Sequence, residues 1–200
     1  MQRLLVILFF LSTSVRAQQF AFEYWHEGKM VLEGGDTLKG SIKYNLQTDL
    51  LQYQVNNRIE TFTARKVIYF EIFDQTVKKY RSFFSLPYSP TGGYKAPIFF
   101  ELLEEGKLTV LCREVLEYRT YSSFYYYGTY SRLVLAYKYY LLDEDGGLVE
   151  FEGKKNEWIS LMGKYAEDVQ QYARNNRLDF DDKYELGKII AHYNSLAAKK

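Results

Sequence analysis

The 200-residue sequence predicts an α+β fold, mainly antiparallel β in a meander, with two C-terminal helices packed on the sheet. Three observations carry this expectation. The 20 Tyr and 14 Phe favour the pleated, half-buried surface of a sheet over a helix, where ring side chains lose rotamer freedom. Between residues 29 and 152, short apolar runs alternate with Gly, Asn and Asp turns at meander spacing. After Gly153 the apolar period lengthens from two residues to three or four.

Residues 1–17 read as a secretory signal peptide. Arg3 supplies the positive region, residues 4–11 are apolar throughout, and Val15-Arg16-Ala17 precedes the expected cut before Gln18. A helix of that apolar run is roughly 12 Å long against a ~30 Å hydrocarbon core, so removal is expected rather than anchoring. Losing Arg3 and Arg16 takes the 26 basic residues to 24 against 25 acidic. A near-neutral chain without a basic cluster is not expected to bind nucleic acid. Cys112 is the single cysteine, so no intrachain disulfide forms and stability must come from burial. The expected organisation is 1–17 signal peptide, 18–153 antiparallel β domain and 154–200 helical segment.

The first hairpin joins residues 30–32 to 37–44 through Glu33-Gly34-Gly35-Asp36, whose glycines allow the positive φ of a tight turn. Alternation continues through Leu51, Tyr53 and Val55, turns at Asn56-Asn57, and returns over 59–63. Residues 67–73 are apolar on both sides except Glu71, which predicts a strand covered on both faces. A strand over 80–86 then meets Pro87, Pro90, Gly92, Gly93 and Pro97, expected to interrupt pairing and mark an internal boundary. Two hairpins follow, 98–103 with 108–118 and 133–142 with 148–151. Trp158, Leu161, Met162, Tyr165, Val169, Tyr172 and Ala173 form one helical stripe, weakened by Gly163 and stopped at Asn175-Asn176. Asp182 with Glu185 has capping-box spacing and opens a second helix carrying Leu186, Ile189, Ile190, Tyr193 and Leu196.

Few residues suggest catalysis. His26 and His192 lie outside any metal-binding spacing and read as surface or helix-flank histidines. Cys112 shares a strand face with Val110 and reads as a buried structural thiol. The acids Glu101, Glu104, Glu105, Asp143, Glu144 and Asp145 mostly flank turns, where solvated charge is ordinary. With no G-x-S-x-G, phosphate loop or dinucleotide fingerprint, the expectation is a non-enzymatic protein without metal or cofactor.

The candidate binding residues are aromatic: Tyr118, Tyr121, Phe124, Tyr125, Tyr126, Tyr127 and Tyr130 crowd around Gly128, with Tyr137, Tyr139 and Tyr140 in the next strand. Neighbours along a strand point to opposite faces, so Tyr125, Tyr126 and Tyr127 cannot share one core. Exposed tyrosine suits protein, sugar or headgroup contact, while cross-strand ring pairing within a hairpin is the plainer alternative.

The segments Gly35-Asp36-Thr37-Leu38-Lys39-Gly40-Ser41-Ile42-Lys43-Tyr44, Thr61-Phe62-Thr63-Ala64-Arg65-Lys66-Val67 and Phe70-Glu71-Ile72-Phe73-Asp74, with the closing Tyr193-Asn194-Ser195-Leu196, resemble an uncharacterised exported protein family of Bacteroidota. That resemblance implies export and ancestry, and brings no site residues. The G-D-x-L-x-G hairpin is also similar to the opening of small SH3-like barrels, which implies such a barrel over 29–74. The function expected is an exported binding or scaffolding protein of the periplasm or outer cell envelope. Its partner would be an envelope protein or a glycan, with peripheral membrane contact as a further option. The alternative is a small-ligand or glycan binder with an aromatic-lined pocket between sheet and helices.

Overall fold

The computed structural model describes residues 20–123 and 128–198; the expected signal peptide lies outside them, as do Phe124, Tyr125, Tyr126 and Tyr127. The fold is α+β. Ten antiparallel strands, β1 (His26–Leu32), β2 (Thr37–Asn45), β3 (Leu50–Val55), β4 (Arg58–Thr63), β5 (Val67–Asp74), β6 (Lys79–Tyr88), β7 (Ala96–Glu104), β8 (Thr109–Ser123), β9 (Gly128–Leu142) and β10 (Leu148–Phe151), form one sheet. Three helices follow, α1 (Lys155–Leu161), α2 (Ala166–Asn175) and α3 (Lys183–Ala197).

The sheet order is β10-β9-β8-β7-β6-β5-β1-β2-β3-β4. β1 pairs with both β2 and β5, so β5 returns to lie beside the first strand of the sheet. Turn chemistry sets this register: Asn56 and Asn57 take φ 48° and 61°, left-handed values that asparagine tolerates, and join Val55 to Arg58 directly.

Strand alternation sends one side chain in two to a continuous inner face. Along β1–β7 that face holds Met30, Ile42, Leu51, Phe70, Phe83 and Phe99 in a first core, with Phe70 stacked on Phe83 at 4.4 Å. Along β7–β10 the same face holds Val110, Cys112 and Tyr139, and the helices close a second core over them with Trp158, Val169, Leu186, Ile189 and Ile190. The opposite face carries a smaller cluster around Phe100, Leu111 and Tyr140.

α3 starts where expected. The Asp182 carboxylate accepts hydrogen bonds from the backbone N–H groups of Tyr184 and Glu185, both at 2.9 Å, as an N-cap should. Near its other end, Asn194 Oδ1 accepts from Leu108 N at 2.9 Å and its Nδ2 donates to Leu108 O at 3.0 Å, docking the helix on the β7–β8 turn. Gly106 permits this approach, because a Cβ there would stand 2.5 Å from Asn194 Nδ2.

Four expectations are corrected. β5 is not covered on both faces: Ile68 is exposed, and Tyr69, Glu71 and Phe73 on its outer face are half-buried. The single helix expected over 158–173 is split by a 310 turn, Gly163–Tyr165, where Gly163 takes φ 51° and redirects the chain. The proline loop is no boundary: Pro87 and Pro97 face each other within the β6–β7 ladder. β5 last pairs with β6 at Phe84 and β8 last pairs with β7 at Glu101, so the missing proline donors at that rung cost no outer bond. His26 is buried, not at the surface; its Nε2 lies 2.8 Å from Ala21 O.

Candidate functional site

The longest strands form the candidate site. β8 and β9 pair rung by rung from Thr109↔Leu142 to Ser123↔Gly128, whereas β7 follows β8 only as far as Cys112 and β10 follows β9 only from Tyr139. Beyond those points, among the described residues, the two strands pair only with each other. At ~3.3 Å per residue, the exposed stretch 117–122 extends about 20 Å as a two-stranded arm.

Asp49 and Arg113 lie where the two strands part. Asp49 sits in the β2–β3 turn at φ 52°, and its carboxylate accepts from the Phe99 backbone N–H at 2.8 Å and from Arg113 Nη1 at 2.8 Å. Arg113 also donates to the carbonyls of Phe99 and Leu46. Both backbone groups of Phe99 are therefore satisfied by side chains where a β7–β8 ladder would otherwise continue, and β8 leaves its neighbour.

The arm has two unlike faces. Leu116, Tyr118, Thr120 and Ser122 lie opposite Leu135, Leu133, Ser131 and Thr129, which makes one face free of charge. The other pairs Glu117 with Val134, Arg119 with Arg132, and Tyr121 with Tyr130. There the Tyr121 and Tyr130 rings stack at 5.5 Å, and the Arg132 guanidinium lies 6.0 Å from the Tyr121 ring.

Of the sequence-derived candidates, Tyr118 is 77% exposed, Tyr130 56% and Tyr121 36%. The structure brings Tyr121 and Tyr130 together and places Tyr118 on the opposite face. Tyr139 and Tyr140 are buried core residues, and burial raises both hydroxyls above the ordinary tyrosine range. Cys112 is buried under the helices, and burial pushes its thiol up as well. Comparison with protein-family models, with curated proteins and with solved structures gives no match.

A second constellation escapes the sequence reading. Where the two inner cores meet, Asp74, Arg81, Glu101, Glu114 and Lys183 are all buried. Arg81 donates from Nε to Glu101 at 2.9 Å, from Nη1 to Asp74 at 2.9 Å and to the Tyr44 hydroxyl at 2.6 Å, and from Nη2 to Glu101 at 2.7 Å and Glu114 at 2.5 Å. Lys183, in the first turn of α3, donates to Glu101 at 2.9 Å and Glu114 at 3.3 Å, and Tyr44 donates to Glu114 at 3.0 Å. Three carboxylates thus face two cations across the seam. Its outer side forms the floor of a cleft of about 260 Å3 between β6, β7 and α3, flanked by Lys79, Tyr80, Tyr184 and Lys188.

The signal for this seam is parity. Arg81 shares its strand face with Phe83, Glu101 with Phe99, and Glu114 with Cys112, so each charge occupies an inward position. Glu101 is buried and ion-paired within β7 instead of carrying an ordinary solvated charge, and Glu104 is half-buried, while Glu105, Asp143, Glu144 and Asp145 are exposed as expected. His192 stacks on Tyr172 at 3.9 Å on the helix flank.

The seam makes stability depend on acid pH. Burial alone would raise Glu101, but the charges of Lys183 and Arg81 outweigh it and hold the carboxyl at about 2. Asp74 is likewise lowered, burial being overcome by hydrogen bonds from Thr76 and Arg81. A carboxyl depressed in the folded state stabilises fully above its unfolded pKa and loses that contribution as pH falls towards its folded value. Glu101 alone should contribute about 3 kcal/mol at neutral pH. Urea midpoints should therefore fall steeply between about pH 4.5 and pH 2. A Glu101→Gln variant should show a shallower fall over that window, and an unchanged slope would contradict the assignment.

Proposed function

We propose that the chain is an exported, non-enzymatic binding or scaffolding protein of the cell envelope that engages its partner through the β8–β9 arm. The supporting observation is the arm itself: residues 117–122 and 128–132 are exposed on both faces and include Tyr118, Tyr121 and Tyr130. A two-stranded ribbon in water is marginally stable, and exposed rings on it gain little from the chain's own folding. Tyrosine does suit a contact surface, combining flat apolar area with a hydroxyl at low entropy cost. The leader-like 1–17 segment and the resemblance to exported proteins of Bacteroidota support a periplasmic or outer-envelope location for the arm.

A small-ligand or glycan reading draws on the cleft flanked by Tyr80 and Tyr184. Its floor is already occupied by its own ion pairs: every N–H of Arg81 is used within the seam. The arm is therefore the favoured site. In-cell cross-linking of the full chain should lose its captured partners at least about tenfold in a Tyr118→Ser/Tyr130→Ser variant. Its Tm should move by no more than about 2 °C, as for other exposed substitutions. Unchanged capture would defeat the proposal.

A further inference from the structure

We infer that the arm's partner is a second copy of this chain, joined edge to edge through β8 in an antiparallel pair centred on Tyr118. This rests on the arm being the binding surface and names its occupant. The outer edge of β8 beyond Cys112 has no paired strand among the described residues, and from Glu117 to Ser122 it is exposed. A long, regular free edge carries a row of backbone donors and acceptors that another strand can satisfy.

Charge selects both the strand and the register. Glu117 and Arg119 sit two residues apart on one face, with a 3.7 Å contact between them in the single chain. In a two-fold antiparallel pair, centring on Glu117 sets Glu117 against Glu117, and centring on Arg119 sets Arg119 against Arg119. Centring on Tyr118 sets each Glu117 against the other copy's Arg119, twice, with the two Tyr118 residues opposite each other. Directly opposed side chains lie about 5 Å apart, close enough for unlike charges to stabilise and like charges to repel. The β9 edge offers no such match, since Arg132 is the single charged residue from Gly128 to Tyr137.

The resulting sheet, β9-β8-β8-β9, would be four strands wide and continuous across the two-fold axis. It would place the charge-free faces of both arms side by side, joining Leu116, Tyr118 and Thr120 of each copy into one surface. A ribbon that is marginal alone gains the extra strands a stable sheet needs.

Sedimentation equilibrium of the mature chain tests this directly. The unsubstituted chain should dimerise, Glu117→Arg and Arg119→Glu should each raise the dimer Kd about tenfold or more, and the double swap should restore it because both cross-strand pairs become unlike again. Tyr118→Cys should form a disulfide-linked dimer on oxidation, whereas Arg132→Cys should not, as only the first lies on the axis. A monomeric chain, or single and double swaps with the same Kd, overturns the inference. Continued capture of a different protein by the arm in cells would in that case leave the binding proposal standing, so the two failures are distinguishable.

Discussion

Arg81→Met is expected to destabilise the protein by about 3–5 kcal/mol, the range for removing one partner from a buried ion pair. The substitution keeps the apolar stem but leaves Asp74, Glu101 and Glu114 with Lys183 as the remaining cation in the seam. It also removes the hydrogen bond that the Tyr44 hydroxyl accepts from Arg81, leaving only its donation to Glu114. For a chain of this length the loss corresponds to a fall in Tm of about 6–20 °C, measurable by calorimetry. Lysine at 81 should recover little, because one ammonium cannot reproduce the fork that reaches three carboxylates and a phenol. A Tm change under about 3 °C for Arg81→Met would show that water or rearrangement already neutralises these acids.

Trp158→Ala is expected to cost about 3–5 kcal/mol by a different mechanism, the cavity left by a large buried side chain. The indole is fully buried, with its ring 4.5 Å from Phe151 and 5.7 Å from Tyr139, and it joins α1 to the last strands of the sheet. Trp158→Phe should cost much less. Most of the ring contact survives, and the indole N–H has no hydrogen-bond partner among the described residues, so its removal takes nothing polar away. Urea unfolding should show a shifted midpoint with an unchanged m value in both variants. Equal losses for Ala and Phe would mean that packing volume is not what the site measures.

Features of the fold set by local chemistry were legible in the sequence. The Asn56-Asn57 turn and the Asp182 cap follow from what those side chains can do within three residues, and the tertiary structure leaves them intact. Features set by distant partners were not. Whether Pro87 and Pro97 break a strand depends on which neighbours flank that rung, and whether Glu101 is solvated depends on Arg81 and Lys183. Similarly, the tyrosines near Gly128 are too numerous for one interior, but that Tyr118, Tyr121 and Tyr130 sit on an exposed arm depends on where β7 and β8 part, beside Asp49 of the distant β2–β3 turn. In the structure Tyr118 and Tyr121 lie on opposite faces of the arm, and those faces differ in charge.

The ionic seam also bears on when this chain can finish folding. Lys183 lies 82 residues beyond Glu101, so the strands carrying the acids are complete long before their second cation is available. A chain truncated before α3 is expected to leave Glu101 and Glu114 with Arg81 as the remaining cation in the seam. α3 is thus the keystone of the seam, bringing the second cation to acids already laid down on β7 and β8.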